Sequence, residues 1–486
     1  MLEIQKKLSN SFLALLSLPS TAMGFALSVQ ISALSWILST KYNLDIHEVG
    51  LVWAAGPIAG IIGQVTIGLL SDKVWFWGGR RRPFIIIGGF LAALMLLALP
   101  NIDILSTALG FDGILGIAIT VALTLDLAIN VSFNPTRSII ADVTDADNRT
   151  RGYTWMQTIS GTFGVLAYGI GAIFGNYMLI YFGAILVFLF SVFPSFFIEE
   201  PTILDADDLE TTTQKNTSLF EILWVIKPLW GFLLYAIYAM YGKLTGFHGI
   251  DDYVNWFCGL LSVALIAYTL WKKTDHLDDE AKGLEGFRKI LAAHSFTWIG
   301  VQTMFVYMFA YLKFNFTDLS DDHLGQVISW SFLVFNAVAA ILPAFVLEPV
   351  VRKIGKVKTH FLCIASLGIA YLCMYFIHFS PIVVYVLMAF AGIGWAATVS
   401  LPFAIMSEKV SKKKMGLYMG LFNLSVVLPQ LVASLGIGEY ISNAPDKNVI
   451  FLICAGSVIF SAISWLFVKE NGKSTIQDEK VMAASH

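Results

Sequence analysis

Apolar runs of about 20 residues alternate with short charged loops along the whole chain, and this pattern leaves few folds open. A run of that length matches the hydrocarbon core of a bilayer, where backbone N–H and C=O groups must be satisfied within the segment, so each run reads as a spanning helix. The runs fall near 11–39, 49–71, 83–100, 113–141, 153–175 and 177–198. A polar linker from Glu199 to Ser218 follows, holding Asp205, Asp207, Asp208 and Glu210. Two runs near 220–242 and 253–271 precede a charged stretch from Lys272 to Lys289. Six more lie near 291–313, 323–347, 359–378, 381–406, 414–441 and 449–468. With 57% hydrophobic and 13% charged residues, the chain is too apolar for a water-soluble globule. The expectation is an all-α integral membrane protein: a six-helix bundle over 1–198, a linker region with two inserted helices over 199–290, a second six-helix bundle over 291–470 and a tail over 471–486.

Composition removes several function classes. A net charge of −3 offers no basic surface for nucleic acid. Cys258, Cys363, Cys373 and Cys454 form no CxxC pair or ligand spacing, so neither a disulfide framework nor a metal site is expected. The eight histidines are dispersed and no catalytic cluster occupies one loop, which argues against an enzyme. Lys6 and Lys7 precede an apolar run that continues to Trp36 without a cleavage site, so this run is read as the first span and not as a signal peptide.

Orientation follows from basic residues in the loops. One set of loops carries Lys73, Arg80, Arg81 and Arg82; Arg149 and Arg151; Lys272, Lys273, Lys282, Arg288 and Lys289; Arg352, Lys353, Lys356 and Lys358; and Lys409, Lys412, Lys413 and Lys414. The other set carries only Lys41, Lys243, Lys313 and Lys447. The chain is therefore expected in a cell membrane, inner or plasma, with both termini cytoplasmic.

The two halves echo each other. After the second span comes Gly68-Leu-Leu-Ser-Asp72-Lys73 and then Gly79-Arg80-Arg81-Arg82; the matching point of the last six spans holds Glu348-Pro-Val-Val-Arg352-Lys353-Ile-Gly355-Lys356. An acidic residue, a basic one and a glycine followed by more positive charge, repeated at equivalent positions, resembles the major facilitator superfamily, whose two six-helix bundles are parallel repeats. Asp72, Arg80, Arg81, Arg82 and Asp142 are read as a cytoplasmic gate, with topology-setting alone as the plainer role of the arginines. Asp142 is also expected to cap its helix or to pair with Arg149 or Arg151.

The fourth span holds Asp126 and Arg137, where the bilayer should exclude both. A charge at that depth costs ~2.5–3.5 kcal/mol on insertion scales, so such residues tend to mark ion or substrate pathways. Eleven residues of straight helix put them roughly 16 Å apart on one face, too far for a direct pair. Asn130 lies one turn from Asp126. A desolvated carboxylate without a fixed cation can take and release a proton near neutral pH, which is the chemistry of a proton-coupled transporter. The plainer reading is a buried pair with a residue on another helix, although the other spans offer almost no Lys or Arg at mid-depth.

The stretch Leu125–Thr144 resembles the fourth helix of the sucrose transporter family and its bacterial relatives in the glycoside-pentoside-hexuronide cation symporter group. Gly24-Phe-Ala-Leu, Trp53-Ala-Ala-Gly56-Pro57-Ile-Ala-Gly60, Gly79-Arg-Arg-Arg-Pro-Phe84, Ser400-Leu-Pro402 and Gly416-Leu-Tyr-Met-Gly420-Leu-Phe-Asn423 through Pro429-Gln430 agree in order. The resemblance covers both halves but not the inserted helices. It implies a proton-coupled importer of a glucoside such as sucrose or maltose, acting as a monomer, with Asp126 carrying the proton and touching sugar, Arg137 as its charge partner or gate, and no cofactor besides the proton. Plant members carry charge in the first two helices of the second half; Gln302, Tyr307, Tyr311 and Asn336 stand there instead.

A sugar presents hydroxyls to hydrogen-bonding groups and C–H faces to aromatic rings. Candidates for the first are Gln30, Gln64, Asn130, Gln157, Gln302, Asn423 and Gln430, although such amides also serve as glue between helices. Trp53, Trp298 and Trp395 are candidates for stacking, whereas Trp36, Trp75 and Trp77 suit an interfacial belt. Gly161, Gly164, Gly169, Gly171 and Gly175 favour close packing. Tyr235, Tyr238, Tyr241 and Trp256 of the inserted pair read as lipid-facing or interfacial, and 272–289 as a solvated or membrane-surface helix. Sodium coupling, uncoupled flux and a sugar sensor without flux are the other readings.

Overall fold

Backbone groups in apolar surroundings are satisfied most directly by helix, and the chain obeys that constraint nearly throughout. The computed structural model describes residues 8–63, 74–110, 113–144, 146–200, 218–247, 249–274, 276–410 and 415–470. The first bundle comprises α1 (Asn10–Thr40), α2 (Ile46–Trp53, its span continuing to Gly63), α3 (Arg82–Ala98), α4 (Ile114–Val143), α5 (Ala146–Phe174) and α6 (Asn176–Ser195). A hairpin of α7 (Trp230–Thr245) and α8 (Asp251–Trp271) follows the short helix Leu219–Val225. The second bundle comprises α9 (Asp279–Asn315), α10 (Asp321–Leu342), α11 (Lys356–Phe376), α12 (Pro381–Ser407), α13 (Met415–Val432) and α14 (Val449–Trp465). Among the described residues, 11 helical spans are long and apolar enough to cross a membrane. The remaining three are α7 with 16 residues, α14 with 17, and α9, whose first turns are charged.

Local chemistry sets the helix starts. Ser9 caps α1 by accepting from the Phe12 N–H, and Asp45 and Glu48 form a reciprocal capping box at α2. Asp278 and Ser320 cap α9 and α10 in the same way. At α3 the carboxylate of Glu200 accepts from the backbone N–H groups of Arg80, Arg81 and Arg82 at 2.7–3.0 Å, satisfying the helix's orphan donors and its positive dipole end.

The charged stretch after α8 departs from the expected surface helix. Its second part, from Asp279, is the beginning of α9, and Glu285 and Arg288 are buried there. Glu285 lies 2.8 Å from Lys272 and 2.5 Å from Arg288, while the Arg288 guanidinium also donates to the Trp224 and Val225 carbonyls. Burial alone would push the Glu285 carboxyl up, but Lys272 and Arg288 overcome it and hold it below the usual carboxylate range. These contacts pin the foot of the hairpin to the second bundle.

Contacts joining the two bundles gather at the end opposite the basic loops. Ser32 and Ser329 share a hydrogen bond of 2.6 Å, Ser35 donates to the Val306 carbonyl at 2.7 Å, and the Trp36 indole donates to the Asp321 carbonyl at 2.7 Å. Trp36 is therefore a buried bridge between bundles and not part of an interfacial belt, because its N–H finds a carbonyl at the start of α10. Trp75 and Trp77 are exposed. Of the glycines expected to favour close packing, Gly171 of α5 meets Ser329 closely, whereas Gly161 of α5 and Gly175, just past its end, face open space. Beyond α13 the chain passes through a π-helical turn, Ala433–Ile437, and the Tyr307 hydroxyl donates to the Ala433 carbonyl it frees, at 3.1 Å.

Gly50 of α2 is one of the tight points of this closure. A Cβ there would lie 2.4 Å from the Ser434 carbonyl oxygen and 2.5 Å from the Tyr307 hydroxyl, both in the second bundle. Gly50→Ala is expected to overpack the closed end by about 1–3 kcal/mol, which shifts a two-state equilibrium roughly fivefold or more toward opening there. Distances between spin labels on α2 and α13 at this end should lengthen in the variant; an unchanged distribution contradicts the assignment of Gly50 as a closure point.

Candidate functional site

Between the bundles, at mid-depth, lies a cavity of about 340 Å³. Among the sequence candidates, Gln30, Trp53, Asp126, Asn130, Trp298, Gln302, Trp395, Asn423 and Gln430 all line it. They come from α1, α2, α4, α9, α12 and α13, so the cavity exists only because the two repeats face each other. Gln64 lies outside the described residues. Gln157 is exposed on α5 and does not line the cavity. It shares a polar, exposed face with Thr154, Thr158 and Thr162, which suits a water-filled opening better than lipid.

The wall from the first bundle sets the polar groups of Gln30, Asp126 and Asn130 among Leu27, Ile31, Ile129 and the rings of Trp53 and Phe133. Asp126 is buried, and its Oδ2 accepts from the Gln30 amide at 3.0 Å. Asn130 donates to the Asp126 backbone carbonyl at 2.8 Å, one turn along α4. Helix α2 passes close to the carboxylate at Gly56, where a Cβ would stand in van der Waals contact with Asp126 Oδ2 at 3.4 Å. Helix α4 runs unbroken through Pro135. Arg137 is exposed toward its basic end, and its guanidinium lies over the Phe133 ring at 4.2 Å, Phe133 itself lining the cavity. Arg137 thus stands near the cavity mouth and away from Asp126.

The wall from the second bundle is aromatic. Trp298 and Trp395 meet edge to face at 5.7 Å, Phe305 lies 5.6 Å from Trp395, and Phe335 stacks on Trp395 from behind at 5.7 Å. Gln430 donates to Gln302 at 3.0 Å, leaving further donors and acceptors of both amides for a ligand. Tyr307 and Tyr311 take no part, because their hydroxyls donate to the Ala433 and Met374 carbonyls. Asn336 donates to the Phe332 carbonyl on its own helix and also does not line the cavity. From the first-bundle side, the Trp53 indole donates to Ser35 Oγ at 2.8 Å, joining the cavity lining to the bundle closure.

The gate candidates lie at the basic end. Arg81 Nε donates to Asp142 Oδ2 at 3.1 Å, so Asp142 pairs with Arg81, while Arg151 reaches Asn10 instead; the side chain of Arg149 lies outside those described. Burial pushes the Asp142 carboxyl up, against the pull of Arg81. With Glu200 holding the backbone of Arg80, Arg81 and Arg82, these contacts join elements of the first bundle to one another. Asp72 lies outside the described residues.

Sequence reasoning passed over His294. It is buried one turn before Trp298, its Nε2 accepts from the Trp298 indole at 2.9 Å, and its ring stacks on Phe422 at 4.9 Å. An i, i+4 His–Trp pair is visible in the sequence, but only the inward facing of both rings gives it meaning. His294→Leu leaves the half-buried Trp298 indole N–H without its acceptor, a cost of about 1 kcal/mol. The expected result is a lower melting temperature and a red-shifted tryptophan emission, with His294→Gln recovering part of both. Melting and emission identical to wild type in His294→Leu would show that the contact does not hold Trp298.

Comparison with known proteins agrees with this geometry. The sequence profile of the Major Facilitator Superfamily matches residues 16–250 and 244–434. A sucrose transport protein of Oryza sativa subsp. japonica is 26% identical over 444 residues, 80% of this chain and 79% of that protein. A sucrose transport protein of Arabidopsis thaliana is 25% identical, covering 88% and 84%. A general alpha-glucoside permease of Schizosaccharomyces pombe is 28% identical over 173 residues, about a third of each chain, 32% and 31%. Among solved structures, the inward-open xylose transporter XylE of E. coli superposes with a TM-score of 0.63 at 13% identity, over 97% of this chain and 99% of that one. An auto-inhibited POT-family peptide transporter gives 0.66 at 12% identity, over 96% and 99%. The chain belongs to the Major Facilitator Superfamily.

Proposed function

We propose that this chain is a proton-coupled symporter that imports a disaccharide or related glucoside, such as sucrose or maltose, by alternating access. The observation that carries the reading is a buried carboxylate, Asp126, held by one amide on a polar wall that faces tryptophans across a mid-depth cavity. A cavity of about 340 Å³ lies at the lower end of the ordinary small-ligand range, roughly 300–1,000 Å³. Amides and aromatic rings on both sides, with a carboxylate on one, match the hydroxyls and C–H faces of a sugar. The names of the sucrose transport proteins and the alpha-glucoside permease point the same way.

The basic loops assign one end to the cytoplasm. In that orientation both termini are cytoplasmic, the bundle closure is extracellular and the state described is inward-facing. Loading begins when the closure opens outward and Asp126 takes a proton, turning from pure acceptor to a group that also donates to a sugar hydroxyl. Sugar then draws the two walls together. Once the cytoplasmic side opens, proton loss removes that donor, and sugar leaves past Phe133 and Arg137. A cation at the mouth favours the deprotonated carboxylate only through distance-weakened Coulomb attraction, which makes Arg137 a sensor of Asp126 rather than its partner.

The test is uptake of radiolabelled sucrose and maltose into proteoliposomes under proton or sodium gradients. Asn keeps a donor and an acceptor for sugar but cannot carry a proton, so under a gradient of one pH unit Asp126→Asn is expected to lose accumulation by roughly tenfold, while still exchanging or binding sugar. Accumulation driven by sodium alone would replace the proton reading, and accumulation retained in Asp126→Asn would remove Asp126 from coupling. Absence of flux with both sugars and both ions would overturn the glucoside assignment.

A further inference from the structure

Two cavities meet beneath the inserted hairpin, at the end opposite the basic loops. One, of about 380 Å³, is polar and is lined by His47 of α2, Tyr238 and Lys243 of α7, Asp251 and Asn255 of α8, and Glu439 beyond α13. The other, of about 650 Å³, is an apolar groove between the hairpin and the second bundle, walled by Phe232, Cys258, Val263, Phe296, Val432 and Ile453. Tyr235, Asn255 and Glu439 line both, so the polar chamber opens directly into the groove. From Asn255 to Val263 the groove follows α8 for roughly 12 Å, away from the charged chamber and toward mid-depth. Exposed Val263 and Tyr440 leave it open sideways to the bilayer.

A charged chamber at the interface with an apolar groove descending from it has the shape of one amphiphile, not of a water-soluble solute. The charges choose its headgroup. Asp251, which accepts from Tyr238 at 2.5 Å, and Glu439 supply two carboxylates against the single Lys243, whose Nζ lies 3.2 Å from His47 Nε2. That balance attracts an ammonium and repels a headgroup of net negative charge, while Lys243 is placed to take a phosphate.

We propose that this seam binds a phospholipid with a primary-amine headgroup: the ammonium between Asp251 and Glu439, the phosphate toward Lys243, and one acyl chain in the groove. The lipid then touches α2, the hairpin and the second bundle together, which gives the inserted helices a role in seating it.

The full-length protein, purified in mild detergent, would be titrated with phosphatidylethanolamine and with phosphatidylglycerol of the same acyl chains and examined by native mass spectrometry. Wild type is expected to bind the amine lipid at least tenfold better. Gly259→Leu fills the groove from α8, where an added Cβ meets no protein atom within 4 Å, and is expected to lose that binding about tenfold. Glu439→Gln, at an exposed residue, is expected to lose the headgroup preference and keeps the test open should the first variant fail to fold. Equal binding of the two lipids by wild type, or amine-lipid binding unchanged in both variants, overturns the proposal.

Discussion

A carboxylate at mid-depth is the constraint around which the molecule is arranged. Asp126 is buried among apolar helices, where an unmatched charge costs several kcal/mol, and its hydrogen bond from Gln30 comes from a neutral amide and not from a cation. A protein that wanted only stability would place an apolar residue there. The acid is retained with Gly56 packed beside it, Asn130 on the next turn, and a cavity at its side. Each of these features weakens packing between the bundles at mid-depth, so cohesion has to come from elsewhere.

It comes from the end opposite the basic loops. There the bundles meet through small and hydroxyl-bearing residues that allow backbones to approach: Gly50 against Ser434, Ser32 against Ser329, Gly171 against Ser329. Such contacts are individually weak, typically about 0.6 kcal/mol each inside membranes. Weakness suits a surface that must separate and re-form during a cycle. Trp36 and Tyr307, donating to main-chain carbonyls across or along the closure, add direction without adding a charge that would have to be desolvated at every turn.

Most of the spans could be read from the chain because length and hydropathy are set by the bilayer, not by tertiary contacts. Asp126 and its amide neighbours were legible for a related reason: polar groups are so costly in apolar runs that their presence alone signals a shared aqueous site. Most of what failed has one physical origin. Lipid and protein interior are equally apolar, so a sequence shows that Trp36 is in the membrane without showing whether it faces lipid or another bundle. The same ambiguity hid the pairing of Trp298 with His294, the inward turn of Tyr238 toward Asp251, and the exposed position of Gln157. Charge also misled at 279–289, where local polarity suggested a surface helix although Lys272, Arg288 and two main-chain carbonyls stabilise a buried carboxylate.

The cavity walls divide their work unequally, and the division follows from repeat architecture. The first bundle contributes the acid, Gln30, Asn130 and the arginine at the mouth; the second contributes Trp298, Trp395, Phe305 and the Gln302–Gln430 pair. A titrating group needs a fixed, sparsely hydrogen-bonded surrounding, whereas ring stacking needs only shape and can tolerate different partners. Keeping the carboxylate in the first bundle leaves the rings and amides of the second free to vary around a ligand without altering its surroundings. It also means that neither wall can close on a ligand alone: the energy of stacking and the energy of hydrogen bonding to Asp126 are realised together only when the bundles approach, which ties ligand binding to rocking of the halves.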